Sequence, residues 1–131
     1  MGVQVIVIRD RKVVVRIPVF SPGPQQEGLY EEVSTRSEEL SQVIATAANG
    51  KRFRLLVELL KHPESRFTDL LPVAVNPKLL RDSIVPMTEN GLVVQGSPRA
   101  PYVLTNKGVI VATILTRGMA DLLRAVEKGD L

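Results

Sequence analysis

The sequence predicts an α+β fold, mainly α. Three observations carry this. Apolar residues recur at helical spacing in successive segments from residue 37 to about residue 127. Two short β-favouring stretches, Leu92-Val93-Val94 and Tyr102-Val103-Leu104, interrupt them late in the chain. Two longer valine-rich stretches open it.

Residues 3–9 and 12–20 read as strands of an N-terminal hairpin. Val3, Val5 and Val7 alternate with Gln4, Ile6 and Ile8, and Val13, Val15, Ile17 and Val19 alternate with Val14, Arg16 and Pro18. Arg9-Asp10-Arg11-Lys12 is the polar turn between them. Both faces are apolar, and a lone hairpin is marginal in water, so a covering surface is expected, from the main domain or a second subunit. Ser21 to Gln26, with Pro22, Gly23 and Pro24, reads as a linker.

An acidic stretch then leads into a helix. Ser37 suits its N-cap, Glu38 and Glu39 its first turn, and Leu40, Val43, Ile44 and Ala47 form its inner face. Asn49-Gly50 ends it. The next helix spans Lys51 to Lys61, with Phe53, Leu56, Val57 and Leu60 buried, Leu55 and Leu59 beside them, and His62-Pro63 as the stop. A short helix near Phe67–Ala74, capped by Thr68, ends in a turn at Val75. Asn76 then caps a helix with Pro77 at its first position and Leu80, Ile84 and Met87 inward. Pro86 should kink or tighten its last turns, and Asn90-Gly91 stops it. Residues 95–101 join the two short strands, and Thr105 caps a final long helix.

Helix, helix, short turn, helix, hairpin, helix is the order of a winged helix-turn-helix. Asn90-Gly91-Leu92-Val93 and Tyr102-Val103-Leu104-Thr105-Asn106-Lys107-Gly108 resemble the pattern shared by the ArsR, HxlR, PadR and MarR-type regulators, and Asn49 to Leu56 is similar to the start of the second helix in ArsR-like proteins. The resemblance covers about residues 37–115. It divides the chain into an N-terminal hairpin and linker, 1–26, and a winged helix domain, 27–131, with a dimerisation helix at about 107–127.

The resemblance implies double-stranded DNA as partner, with the helix after the turn in the major groove. Lys78 and Arg81 then suit phosphate or guanine, Asp82 a cytosine amine, and Leu79 a thymine methyl. Ser97 and Arg99 sit at the wing tip, where arginine reaches a narrow minor groove. Lys107 is a further phosphate candidate. Val109, Ala112, Thr116, Met119, Leu123 and Val126 follow a heptad spacing, a seam for a homodimer, with Ile110 and Ile114 turned toward the domain and Leu115 and Leu122 widening the stripe.

Composition narrows the alternatives. The chain has 131 residues, 44% hydrophobic, enough for one core. There is no cysteine and a single histidine, His62, so thiol nucleophiles, disulfides and histidine clusters are excluded, and no cofactor, metal or catalytic set is expected. The glutamates at 31, 32, 38 and 39 read as a solvated face. The net charge is +3, unevenly spread: residues 27–49 carry one arginine against five glutamates, whereas residues 50–106 carry eight basic and five acidic groups. Lys51, Arg52 and Arg54 form a second basic patch, in which a structural role is expected, with Arg52 or Arg54 pairing with an acid inside the domain. The N-terminus lacks a leader pattern and the longest apolar runs, such as Val109 to Leu115, fall well short of the roughly 20 residues of a spanning helix, so a soluble cytoplasmic protein is expected. The competing reading is a winged helix serving as a protein-binding module, which Leu79, Asp82 and Val85 on the reading face favour.

Overall fold

The structure is a computed structural model and describes residues 3–19 and 27–131. The expected linker, residues 21–26, lies outside the described residues. The chain divides into two compact units, one within residues 1–37 and one over residues 38–130.

In the first unit β1 (Val3–Arg9) pairs antiparallel with β2 (Lys12–Val19). Asp10 and Arg11 both have positive φ, 51° and 65°, which gives a two-residue turn whose twist matches the strands. The register shifts after Val7, where Val15 is its partner but Val13 is the partner of Ile8. Val14 is therefore a bulge residue. It moves Val13 onto the face of Ile8, away from Val15 and Ile17, which corrects the strict alternation expected for β2. Valines and isoleucines of both faces are exposed. A helix that the acidic composition did not delimit, α1 (Glu27–Thr35), follows.

The second unit holds α2 (Ser37–Ala48), α3 (Gly50–Lys61), α4 (Phe67–Ala74) and α5 (Pro77–Glu89), then the antiparallel pair β3 (Val93–Gln95) and β4 (Tyr102–Leu104), then α6 (Asn106–Thr113). One core joins them. It is built from Val43 and Ala47, Leu55, Leu56 and Leu59, Leu70 and Ala74, Leu80, Ile84 and Met87, and Leu92, Val93, Leu104 and Ala112. Ser65 exchanges two main-chain hydrogen bonds with Tyr102, N to O at 3.3 Å and O to N at 2.7 Å, so the segment before α4 adds a bridge to the wing sheet. This is a winged helix-turn-helix with an added N-terminal hairpin and a long C-terminal helix.

Several faces are rotated from expectation. In α2 the inner side is Val43, Thr46 and Ala47, while Ile44 is 54% exposed. In α3, Leu55 and Leu59 are fully buried with Leu56, whereas Phe53, Val57 and Leu60 are half-buried. Asn49 does not simply end α2; its side chain caps α3, accepting from the N–H groups of Lys51 and Arg52. Thr68 is not the cap of α4: the cap position is Arg66, whose N–H donates to the Asp69 carboxylate at 2.9 Å.

The C-terminal helix is interrupted. After α6, residues Ile114–Gly118 form one π-helical turn, and α7 (Met119–Glu127) continues. The extra residue in a π turn swings everything after it by about 100°, so the heptad seam does not run straight from Val109 to Val126. Ala112 is wholly buried in its own unit and is not open to a partner. Ile110 and Ile114, expected to pack inward, are instead 59% and 54% exposed. Among the described residues no helix is long and apolar enough to cross a membrane.

Candidate nucleic-acid interface

The turn between α4 and α5 sets the geometry. Val75 closes α4 at φ 78°, donating its N–H to the Leu71 carbonyl. Asn76 is extended and its side-chain oxygen accepts from Leu79 N–H at 2.9 Å, with Pro77 opening the helix. Helix α5 thus starts at a defined residue. Leu80, Ser83, Ile84 and Met87 face the core, which leaves Lys78, Arg81, Asp82 and Val85 exposed and Leu79 half-buried. The far end is anchored by Asn90, whose amide donates to the Thr46 hydroxyl at 3.1 Å and to the Pro86 carbonyl at 2.8 Å.

The wing ends in a tight turn. Ala100 N–H donates to the Ser97 carbonyl at 3.0 Å, with Pro98 and Arg99 between them. Arg99 takes φ 74°, a conformation that favours glycine, and the Gln95 amide braces the turn by donating to the Ala100 carbonyl at 2.8 Å. Ser97 and Arg99 are exposed.

Helix α5 and the wing face each other across a concavity of about 530 Å³. Arg66, Phe67 and Thr68 from the start of α4, Arg81 from α5, and Gln95, Pro98, Arg99, Ala100 and Tyr102 from the wing line it. The Arg81 guanidinium lies over the Phe67 ring, 5.9 Å from its centroid, a geometry in which the ring face attracts the cation. No carboxylate is among the lining residues. The structure therefore brings Arg81 and Arg99 together from separate elements.

It adds Arg66, which sequence reasoning missed. The only local signal was a basic residue at the entry to a short helix. Lys78, Leu79, Asp82 and Ser97 do not line this concavity. Lys107 stands 3.6 Å from the Glu39 carboxylate, so an acid of its own unit engages the amine. Neither Arg52 nor Arg54 makes an ion pair among the described residues; Arg52 has a structural role instead, its Nε donating to the Thr46 carbonyl at 2.6 Å. His62 lies 3.7 Å from Glu58 on the surface, and no group of three or more metal-ligating side chains is gathered among the described residues.

Of the expected seam residues, Val109, Met119, Leu123 and Val126 are exposed, and Thr116 is half-buried with its hydroxyl on the Ala112 carbonyl. On α7, Met119, Leu122, Leu123 and Val126 make one exposed stripe.

No protein-family model and no curated protein matches the chain. A solved structure does: the transcriptional regulator homologue protein from Pyrococcus horikoshii OT3, with a TM-score of 0.50 and 24% identity over 72% of this chain and 99% of that one. At this identity the likeness establishes the fold.

Proposed function

We propose that the chain is a transcription regulator that binds double-stranded DNA sequence-specifically as a homodimer. Helix α5 enters the major groove and the wing lies on the neighbouring minor groove or backbone. The observation that carries the reading is the meeting of Arg81 of α5 and Arg99 of the wing tip at one acid-free cleft, with Lys78 exposed on the same helix. The fold shared with a transcriptional regulator homologue supports it. The chemistry is that of a binding protein, not an enzyme.

The second subunit is assigned to the apolar stripe of α7. Two-fold pairing there would set two copies of α5 against two half-sites about one DNA turn apart. Lys78 and Arg81 act on phosphate or guanine, Asp82 and Leu79 on neighbouring base edges, Ser97 and Arg99 through the wing, and Lys107 only by exchanging Glu39 for a phosphate.

The test is a fluorescence anisotropy titration with duplex DNA at rising salt. Affinity that falls steeply with salt supports the reading, since phosphate contacts release counterions. Absent or salt-insensitive binding overturns it. It would favour the second reading, a protein-binding module, for which Val85 and Val94 speak: both are about half exposed and line an open concavity with Ile84, Thr88 and Tyr102.

A further inference from the structure

The arginine-lined cleft has a chemistry of its own. None of Arg66, Arg81 and Arg99 makes an ion pair among the described residues, and no acid lines the concavity they share. Its remaining wall is largely apolar, formed by Phe67, Pro98, Ala100 and Tyr102. Unpaired guanidiniums around an apolar floor fit a ligand that alternates anionic groups with apolar bodies. A sugar-phosphate strand has that alternation, phosphate then deoxyribose.

The placement adds a constraint, which rests on the DNA reading above. If α5 lies in a major groove and the wing lies on the adjacent minor groove, one backbone strand separates the two grooves and must pass between these elements. The space between them is this cleft. Arg81 lines the cleft, and its guanidinium lies over the ring of Phe67 at the start of α4, on the wall that such a strand would pass.

We infer that the cleft seats one DNA phosphodiester strand, that Arg66 is a phosphate contact together with Arg99, and that Arg81 grips the backbone instead of reading a base. The three arginines then supply affinity and register. Sequence discrimination falls to Lys78, Leu79 and Asp82 on the exposed part of α5.

The experiment uses the full chain and two duplexes, one random and one enriched from a random pool by the protein itself. Anisotropy affinities are measured from about 50 to about 200 mM salt for wild type, Arg66→Gln, Arg81→Gln, Arg99→Gln and Arg81→Lys, with thermal melts to confirm folding. Each glutamine variant is expected to lower the salt slope by about one and to weaken both duplexes by the same factor. Arg81→Lys is expected to keep the wild-type slope, because a phosphate accepts a point charge whereas a bidentate guanine contact does not tolerate the exchange well. An unchanged slope in Arg66→Gln, or a selective loss of preference for the enriched duplex in Arg81→Gln, overturns the inference while leaving the DNA reading intact. Absence of duplex binding by the wild type removes the DNA reading itself, and this inference with it.

Discussion

Gly108 sits against the carbonyl of Leu92 so closely that a Cβ on it would stand 1.9 Å from the oxygen and 3.2 Å from a methyl of Leu104. The same carbonyl accepts the Thr105 N–H at 3.0 Å, and the Thr105 hydroxyl oxygen accepts from Gly108 N–H at 2.9 Å. The start of the last helix is thereby locked onto the chain that leaves α5 and enters the wing. Gly108→Ala must force these backbones apart, at a cost of about 3 kcal/mol or more. For a unit of this size that lowers Tm by roughly 12 °C or more. Gly50→Ala is the control, since nothing lies within 4 Å of its added Cβ. Calorimetry that finds the two variants equally stable refutes the contact.

That contact explains why part of the fold could be read directly. Gly91 holds φ 71° at the exit of α5, Thr105 caps α6, and Gly108 allows the close approach. Each of these residue types has a job that few others can do, so their order marks the winged fold. Asn76-Pro77 is legible for the same reason. Helix phase was less so, because α2 and α3 carry apolar residues on more than one side. Ile44 and Val57 fit an inward stripe by spacing alone, and only tertiary packing selects Val43 with Ala47 and Leu55 with Leu59. The π turn has only Gly118, its last residue, as a local sign of a bend, and it divides a seam that looks continuous on paper. Arg66 was hidden because its partners in the cleft come from α5 and the wing.

Val75 carries backbone strain at the helix-turn-helix corner. A β-branched residue at φ 78° is unfavourable, and its side chain, 79% exposed, gains little packing in return. Val75→Gly is expected to raise stability by about 0.5 to 1 kcal/mol, the relief of strain exceeding the added freedom of the unfolded chain. The check is a higher urea midpoint at unchanged m-value. A lower midpoint would mean that the corner is not strained.

Arg99 is strained in the same way but has a proposed task. Arg99→Gly is expected to keep or slightly raise Tm while weakening duplex binding. Measured on one preparation, affinity should fall while stability does not. Loss of both together would assign Arg99 to the fold of the wing and not to DNA.

Lys78 and Arg81 are exposed and lie outside the core, so their removal leaves folding intact. The double variant Lys78→Ala, Arg81→Ala is expected to lose duplex binding by at least about thirtyfold at moderate salt, since each lost contact contributes on the order of 1 to 3 kcal/mol. Its circular dichroism spectrum and Tm should match the wild type. Wild-type affinity in the double variant would exclude α5 as the reading element.

Beyond the π turn, the apolar side of α7 consists of Met119, Leu122, Leu123 and Val126, spaced three, four and seven residues from the first. All four are exposed, a stripe that a single copy leaves uncovered. A charge at Met119 would have to be desolvated between two such helices, and in a two-fold interface it would face its own copy. Under the proposed dimer, light scattering is expected to give twice the chain mass for the wild type and the monomer mass for Met119→Glu. Ala112→Ser, a change at a buried position of the expected seam, should reduce stability without changing the mass. If Met119→Glu keeps the dimer mass, the subunits meet elsewhere and the stripe is not their contact.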